Sequence, residues 1–340
     1  MKKRIQILLT TLTLALIVQF NVFAQDNASL TPYLGTWALT LPPFDGTFNA
    51  GWLEVTQEDG YIGASVLWYG GSVVPVSHAY LEGDDLVVTF VGERNLPGDK
   101  KAQVTSWLKM HLEGETLNGV RYFPRTDGTR VERASFYGKK LPADPPAPDL
   151  AKVKFGPAIN LLDQNSLKGW EIMGDDVTSG WSVANGVLTN NPVQNDPNHH
   201  IHYGNLRTLQ EFEDFNLSLE VNIPEGNNSG VYLRGIYEIQ VFDSYGKPVD
   251  PHNMGALYSR ITPSMAAEKP AGQWQTLDIT LVDRHVTVIL NGKKIIDNQP
   301  VRGCTGGAIT SNEFIPGPIY LQGDHGMVEY RNIVLKPVVK

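Results

Sequence analysis

NNSGVYLRGIYEIQVFDSYG, residues 227–246, holds two short strand-like runs on either side of Gly235. Side chains alternate across a strand, so parity decides what each run presents. In the first run Val231 and Leu233 point one way and Tyr232 and Arg234 the other. In the second, Ile239 and Val241 share one face, and Glu238 and Gln240 share the opposite one. The stretch therefore reads as sheet with one apolar face and one polar patch of Tyr232, Arg234, Glu238 and Gln240. Asp243 has the wrong parity relative to Glu238 and joins the patch only if a bulge adds a residue between them. A solvated outer sheet face accounts for such a patch as readily as the floor of a site does.

The same period-two pattern extends in both directions. After a proline-rich stretch come WSVANGVLTN (181–190), NLSLEVNIP (216–224), WQTLDITLVD (274–283), HVTVILNGKKIID (285–297), GPIYLQ (317–322) and VEYRNIVLKP (328–337). Asn185-Gly186 is the strongest short hairpin signal there is. Helical turns are expected only around Leu209–Glu213 and Ser264–Glu268. About twelve strands joined as hairpins predict a double-sheet jelly roll over residues 153–340.

LPADPPAPDLAK, residues 141–152, reads as an extended, semi-rigid linker. Before it, GWLEV (51–55), YIGASVLWY (61–69), DLVVTF (85–90), VTSWLKMHL (104–112) and ASFYG (134–138) alternate between glycine-rich turns. They predict a meander of about seven or eight strands over 28–140, a small β-barrel. The fold class is thus all-β in both halves. Gly35-Thr36-Trp37 resembles the G-x-W opening of lipocalin-like barrels, where the tryptophan plugs the bottom. His78 and His111 read as ordinary strand histidines.

The bulk properties narrow the partners. Net charge is −8, and no block of Lys or Arg occurs beyond the N-terminus, which argues against nucleic acid and anionic membranes. A neutral, polar ligand such as a sugar fits better. Residues 1–24 pair a positive MKKR with an apolar core and VFA at a cleavage-like site, predicting a signal peptide and a periplasmic or secreted protein. The single cysteine, Cys304, is far from any lipoprotein position and forms no internal disulfide. It reads as structural.

Residues 156–338 resemble the 3-keto-disaccharide hydrolase family, formerly a domain of unknown function. The resemblance rests on LLDQNSLKGW (161–170), WSVANGVL (181–188), NSGVYLRG (228–235), YEIQVFDS (237–244), TGGAI (305–309) and LQGDHG (321–326), in that order. It implies a concanavalin-like β-sandwich acting on sugars oxidised at C3, with no cofactor. A 3-keto group acidifies the C2 hydrogen, so a base opens the way to loss of the C1 substituent by β-elimination, and water then adds. Such a route needs a base, a stabiliser for the enolate oxygen and an acid for the leaving group. On this resemblance Glu238 is the expected base, with Arg234 or His325 stabilising the oxyanion and His325 able to protonate the leaving oxygen. Tyr232, Gln240, Asp243, Tyr258, Gln322 and His252 are the expected substrate-binding residues. Tyr258, Trp274 and Tyr320 are candidate stacking platforms, with Trp274 favoured for the core.

Two other readings stand beside this one. Glu238-x-Gln240-x-x-Asp243 is similar in spacing to the E-x-D-x-x-E motif of laminarinase-type glycosidases, with the helper carboxylate replaced by Gln240 and the last Glu by the shorter Asp243. A non-catalytic carbohydrate-binding module would need the aromatics but not Glu238 and His325. His199-His200-Ile201-His202 invites a metal reading, but no acidic or cysteine partner lies at a usual spacing, and no metal site is expected. The barrel is open to three roles: docking a partner, binding a second sugar, or shielding the active face.

Overall fold

A computed structural model describes residues 30–44, 47–96, 100–195 and 200–339. Residues 1–24, expected as a signal peptide, lie outside the described residues, as does His199 of the histidine run. The described chain is strand, turn and loop, apart from one short 3-10 turn at Thr31–Tyr33. Among the described residues no helix is long and apolar enough to cross a membrane.

Strands from Gly35–Phe44 to Val131–Lys140 form one nine-stranded antiparallel sheet. Its first strand pairs with both the second and the last, Trp37 lying opposite Leu53 on one side and Lys140 on the other. The sheet curls around Trp37, Leu39, Leu53, Val66, Leu86, Leu108, Met110 and Phe136. The Trp37 indole donates to the Tyr33 carbonyl at 2.9 Å, so this tryptophan is packed and satisfied. His78 stacks on Tyr80, and exposed His111 meets Glu113 at 3.2 Å, a partner that the alternating pattern did not reveal.

The second half is a sandwich of two antiparallel sheets. The larger has Trp181–Ala184, Val187–Asn190, Val328–Pro337, Phe215–Asn222, Gln275–Val282, His285–Leu290 and Lys293–Pro300 in that order, with Ile159–Asn160 added beside Val328–Pro337. The smaller runs Trp170–Ile172, Leu206–Phe212, Gly317–Leu321, Asn228–Leu233, Tyr237–Phe242. Val231, Leu233, Ile239, Val241, Ile319 and Leu321 face the shared core. Asn185 and Gly186 take φ of 52° and 74°, the left-handed pair that a type I′ turn requires. The expected helical turn around Leu209–Glu213 is instead a strand, Leu206–Phe212, with an irregular register between Arg207 and Glu211. Ser264–Glu268 is not helical either.

The proline-rich segment lies along the sandwich. Arg302 pairs with Asp144 at 2.6 Å, and Asn298 donates to the Pro148 carbonyl at 3.0 Å. The barrel docks firmly on the sandwich. Ala50, Trp52 and Leu67 belong to the same continuous apolar cluster as the sandwich core. The Arg260 guanidinium covers the Trp52 ring at 4.1 Å while its Nε donates to the Cys304 carbonyl at 2.9 Å. Cys304 is buried at this seam, and burial pushes its thiol up to about 12. It packs and does not react.

Candidate functional site

The outer face of the small sheet carries the polar patch. Strand pairing sets Tyr232 directly opposite Glu238 on one side and Tyr320 on the other. The Tyr232 and Tyr320 rings stack at 3.8 Å with 12° between their planes. The Tyr232 hydroxyl lies 2.9 Å from Glu238 Oε2 and 2.7 Å from the Gly306 carbonyl. The Tyr320 hydroxyl donates to the Gly307 carbonyl at 2.7 Å. The TGG run is itself pinned to the hairpin. Thr305 Oγ1 accepts from the Glu238 amide at 2.9 Å, and the Ile309 amide donates to Gly235 at 2.9 Å.

Glu238 is 3% exposed, and its burial dominates its chemistry. Loss of hydration pushes the carboxyl up to about 8; Tyr232 opposes this and the nearby Asp324 carboxylate adds to it. Glycine at residue 230 leaves room for the carboxylate, because a Cβ there would lie 2.4 Å from Glu238 Oε1. Tyr232 and Tyr320 are held well above the usual phenol range by burial, so both remain neutral hydroxyls.

Around this floor lies a pocket of about 260 Å³, at the small end for a ligand site. Gln322, Asp324 and His325 line it, as do Asn205, Asn228 and Tyr258. His325 Nδ1 lies 2.6 Å from Asp324 Oδ1, and this bond raises the imidazole above its ordinary range. Asn228 Oδ1 and Gln322 Oε1 are buried atoms with no hydrogen-bond partner, and both residues line the pocket. Tyr258 is placed because residues 255–258 extend the edge strand, its amide donating to the Glu238 carbonyl at 3.0 Å.

Four expected site residues, and the candidate platform Trp274, lie elsewhere. Arg234 is not a strand residue. It and Gly235, with φ of 56° and 67°, form the hairpin turn, which breaks the parity on which its placement rested. Its guanidinium donates to the Glu313 carbonyl at 2.7 Å and to the Ile315 carbonyl, away from Glu238. Gln240 is buried, with its Oε1 accepting from the Val241 amide at 3.1 Å, and does not line the pocket. The pairing of residues 237–242 runs without a bulge, so Asp243 stays on the other face, accepting from the Gly226 amide at 3.0 Å. The laminarinase-type pair of carboxylates is therefore not assembled by Glu238 and Asp243. His252 sits behind Tyr258, rings 5.0 Å apart, and bonds Ser72 at 2.8 Å and Asp250 at 2.6 Å. Trp274 is capped by Arg331 at 4.0 Å and lies outside the pocket.

Other pocket residues escaped the sequence reading. Asp324 stood inside the LQGDHG run without being singled out. Asn205 and Asn228 carry no distinguishing pattern. Phe44, Phe48, Tyr69, Gly70 and Gly71 come from the barrel and reach the pocket only through the docking of the two halves. His200 and His202 lie edge to face at 5.0 Å, and among the described residues no three His, Cys, Asp or Glu side chains gather as metal ligands would.

Comparison with known proteins follows this geometry. Residues 157–336 match the model of the 3-keto-alpha-glucoside-1,2-lyase-like domain. Among solved structures, a provisionally assigned glycosyl hydrolase of Parabacteroides distasonis is 29% identical, covering 57% of this chain and 93% of its own, with a TM-score of 0.43. A second from that organism is 26% identical over 53% of this chain and 98% of its own, with a TM-score of 0.38. A non-specific GH16 endo-β-1,3(4)-glucanase is 12% identical over 59% of this chain and 100% of its own, with a TM-score of 0.34. No curated protein matches the chain.

Proposed function

The chain belongs to the family of 3-keto-alpha-glucoside-1,2-lyase-like domains, carbohydrate-active enzymes that act on glycosides, and from that premise we propose that it cleaves 3-keto-glycosides by elimination followed by hydration. The observation that carries this reading is Glu238: one carboxylate on the pocket floor, buried, and pushed up to about 8. A carboxylate of that basicity suits removal of a proton from carbon far better than an ordinary one.

The steps balance as follows. Ionised Glu238 takes the C2 hydrogen, and the C–H electron pair becomes the C2=C3 bond of an enediolate. The enediolate collapses, restoring the C3 carbonyl and forming C1=C2 while the C1–O bond breaks. Protonated His325 gives its proton to the departing oxygen, with Asp324 holding the imidazolium in place. Neutral His325 then takes a proton from water as its oxygen adds to C1, and neutral Glu238 returns a proton to C2, so both groups are restored and the net change is hydrolysis. Asn228 and Gln322 line the pocket and are placed to bond ring hydroxyls through their side-chain amides. Their amide N–H groups are the nearest replacement for Arg234 as donors to the enolate oxygen. Tyr258 borders the bound sugar.

Incubation with a 3-keto-disaccharide and with its unoxidised parent tests the reading. Only the oxidised sugar is expected to release its aglycone, with deuterium from heavy water appearing at C2 of the product. Equal turnover of the parent, or turnover of neither, overturns it.

A further inference from the structure

The sandwich supplies only part of the pocket, and the rest has a different character. Besides Glu238, Gln322 and His325, the pocket is lined by Phe44, Phe48 and Tyr69 of the barrel, with Gly70 and Gly71. The Phe44 and Tyr69 rings lie 5.7 Å apart, tilted by 40°. Phe44 is 55% exposed, so it serves no core, whereas Phe48 packs against the small cluster of Met173, Tyr232 and Tyr320. This wall offers ring faces and almost no free polar atom. The Tyr69 hydroxyl is already bonded to the Pro42 carbonyl at 2.5 Å.

The wall is also held in register with the catalytic floor. Tyr69 has φ of 63°, a strained conformation for a bulky residue, kept by bonds at both of its ends. Its carbonyl accepts from the Gly307 amide at 3.0 Å, and the neighbouring Gly306 carbonyl faces Tyr232. A Cβ at Gly306 would lie 2.1 Å from the Gly71 oxygen, so the two backbones touch. His252 and Ser259 bind the next residues, Ser72 and Val73, at 2.8 and 2.9 Å.

Resting on the elimination reading above, we propose that the barrel is part of the enzyme's binding site: Phe44, Phe48 and Tyr69 form a leaving-group subsite that stacks a ring carried at C1, aryl or pyranosyl. The polar half of the pocket holds the oxidised ring through Asn228 and Gln322, which leaves the aromatic half for the substituent. Stacking on aromatic faces recognises the flat apolar side of either kind of ring.

The test measures binding of 3-keto methyl, phenyl and glucosyl glucosides by calorimetry, in the full chain carrying Glu238→Gln so that no ligand turns over. The phenyl and glucosyl ligands are expected to bind at least tenfold more tightly than the methyl ligand. Adding Phe44→Ala, a change at an exposed side chain, is expected to remove most of that advantage and leave methyl binding unaltered. A larger loss for one of the two ring ligands tells which ring the wall prefers. Equal affinity across the three ligands, no binding of any, or a ring preference unchanged by Phe44→Ala overturns the subsite. Turnover of the same ligands by the unaltered enzyme reports separately on the reaction, so an elimination reading that fails can be told from a subsite that fails.

Discussion

Tyr232 and Glu238 share one hydrogen bond, at 2.9 Å, that serves both ionisation states of the carboxyl. The phenol has one hydrogen and two acceptors in reach, Glu238 Oε2 and the Gly306 carbonyl at 2.7 Å. When Glu238 is ionised, the phenol donates to it. When Glu238 holds a proton, the acid donates to the phenol oxygen and the phenol donates to Gly306. The bond to the ionised form is charge-assisted and stronger, so its net effect opposes the burial that raises Glu238.

Tyr232→Phe removes that bond from both states, and the ionised state loses more. The acidic limb of the kcat/KM profile, which rises as Glu238 ionises near about 8, is expected to move to higher pH. At neutral pH the rate is expected to fall by roughly tenfold, the scale of one such hydrogen bond. A pH–rate profile on a 3-keto-glycoside reads both effects, and an unmoved limb would show that the phenol does not bear on the base.

Glu238→Gln is expected to abolish turnover and to stabilise the fold at alkaline pH. Below the ordinary value of 4.5 the carboxyl is neutral in both folded and unfolded chains, so burial costs nothing through ionisation. Between 4.5 and about 8 the unfolded chain ionises while the folded one keeps its proton, and stability declines as pH rises. Glutamine does not titrate. The variant's advantage in denaturant unfolding is therefore expected to be near zero at pH 4. It should reach on the order of a few kcal/mol by pH 9, following a slope of about 1.4 kcal/mol per unit of pH. A constant difference across this range would mean that Glu238 is not held neutral.

Gly230→Ala is a test of placement rather than of chemistry. The new Cβ would fall 2.4 Å from Glu238 Oε1 and 3.0 Å from its Cδ and Cγ, so the carboxylate must swing out. The expected cost in stability is about 1–3 kcal/mol, the usual range for overpacking. A displacement of this kind can reduce kcat by about a hundredfold. Melting measurements and kinetics on the same preparation separate the two effects.

Much of this was legible in one twenty-residue stretch. Period-two parity put Tyr232 and Glu238 on one sheet face, and the turn over residues 234–236 sets the register that makes them direct neighbours. Parity failed where the backbone left the strand. Arg234 sits in the left-handed turn, and its guanidinium follows the turn to Glu313 and Ile315. Asp243 depended on a bulge, and a ladder held by Asn227 and residues 255–258 has none. The aromatic wall was out of reach for another reason. Phe44 and Tyr69 meet Glu238 through packing between two halves of the chain, and no local pattern encodes such a meeting. Asp324, by contrast, was in plain view beside His325 and needed only its carboxylate to be counted.

His325→Asn is expected to divide substrates by their leaving groups. An alkoxide departs badly without a proton, so a glucosyl substituent should lose about 10²–10⁴-fold in kcat, the range for general acid catalysis. A nitrophenyl substituent leaves unaided and should lose little. The alkaline limb of the profile, set by deprotonation of an imidazole held above its ordinary value by Asp324, should vanish in the variant. Equal losses for both substituents would place His325 in binding and not in proton transfer.

Arg234→Met separates a structural arginine from a catalytic one. Arg234 is 3% exposed, and its guanidinium supplies donors to the Glu313 and Ile315 carbonyls. Its loss leaves those acceptors unsatisfied and frees the 313–315 segment, which also carries the buried Glu313 carboxylate bonded to Tyr237 at 2.8 Å. Unfolding experiments are expected to show a loss of about 2–4 kcal/mol, several hydrogen bonds being removed together. The fraction that stays folded should keep kcat within about threefold, since the side chain does not line the pocket. An oxyanion stabiliser would instead lower kcat by about 10²–10³-fold with a smaller effect on stability. Active-site titration, by counting folded enzyme, makes the two outcomes distinct, and a large loss of kcat per folded molecule would return Arg234 to the reacting oxygen.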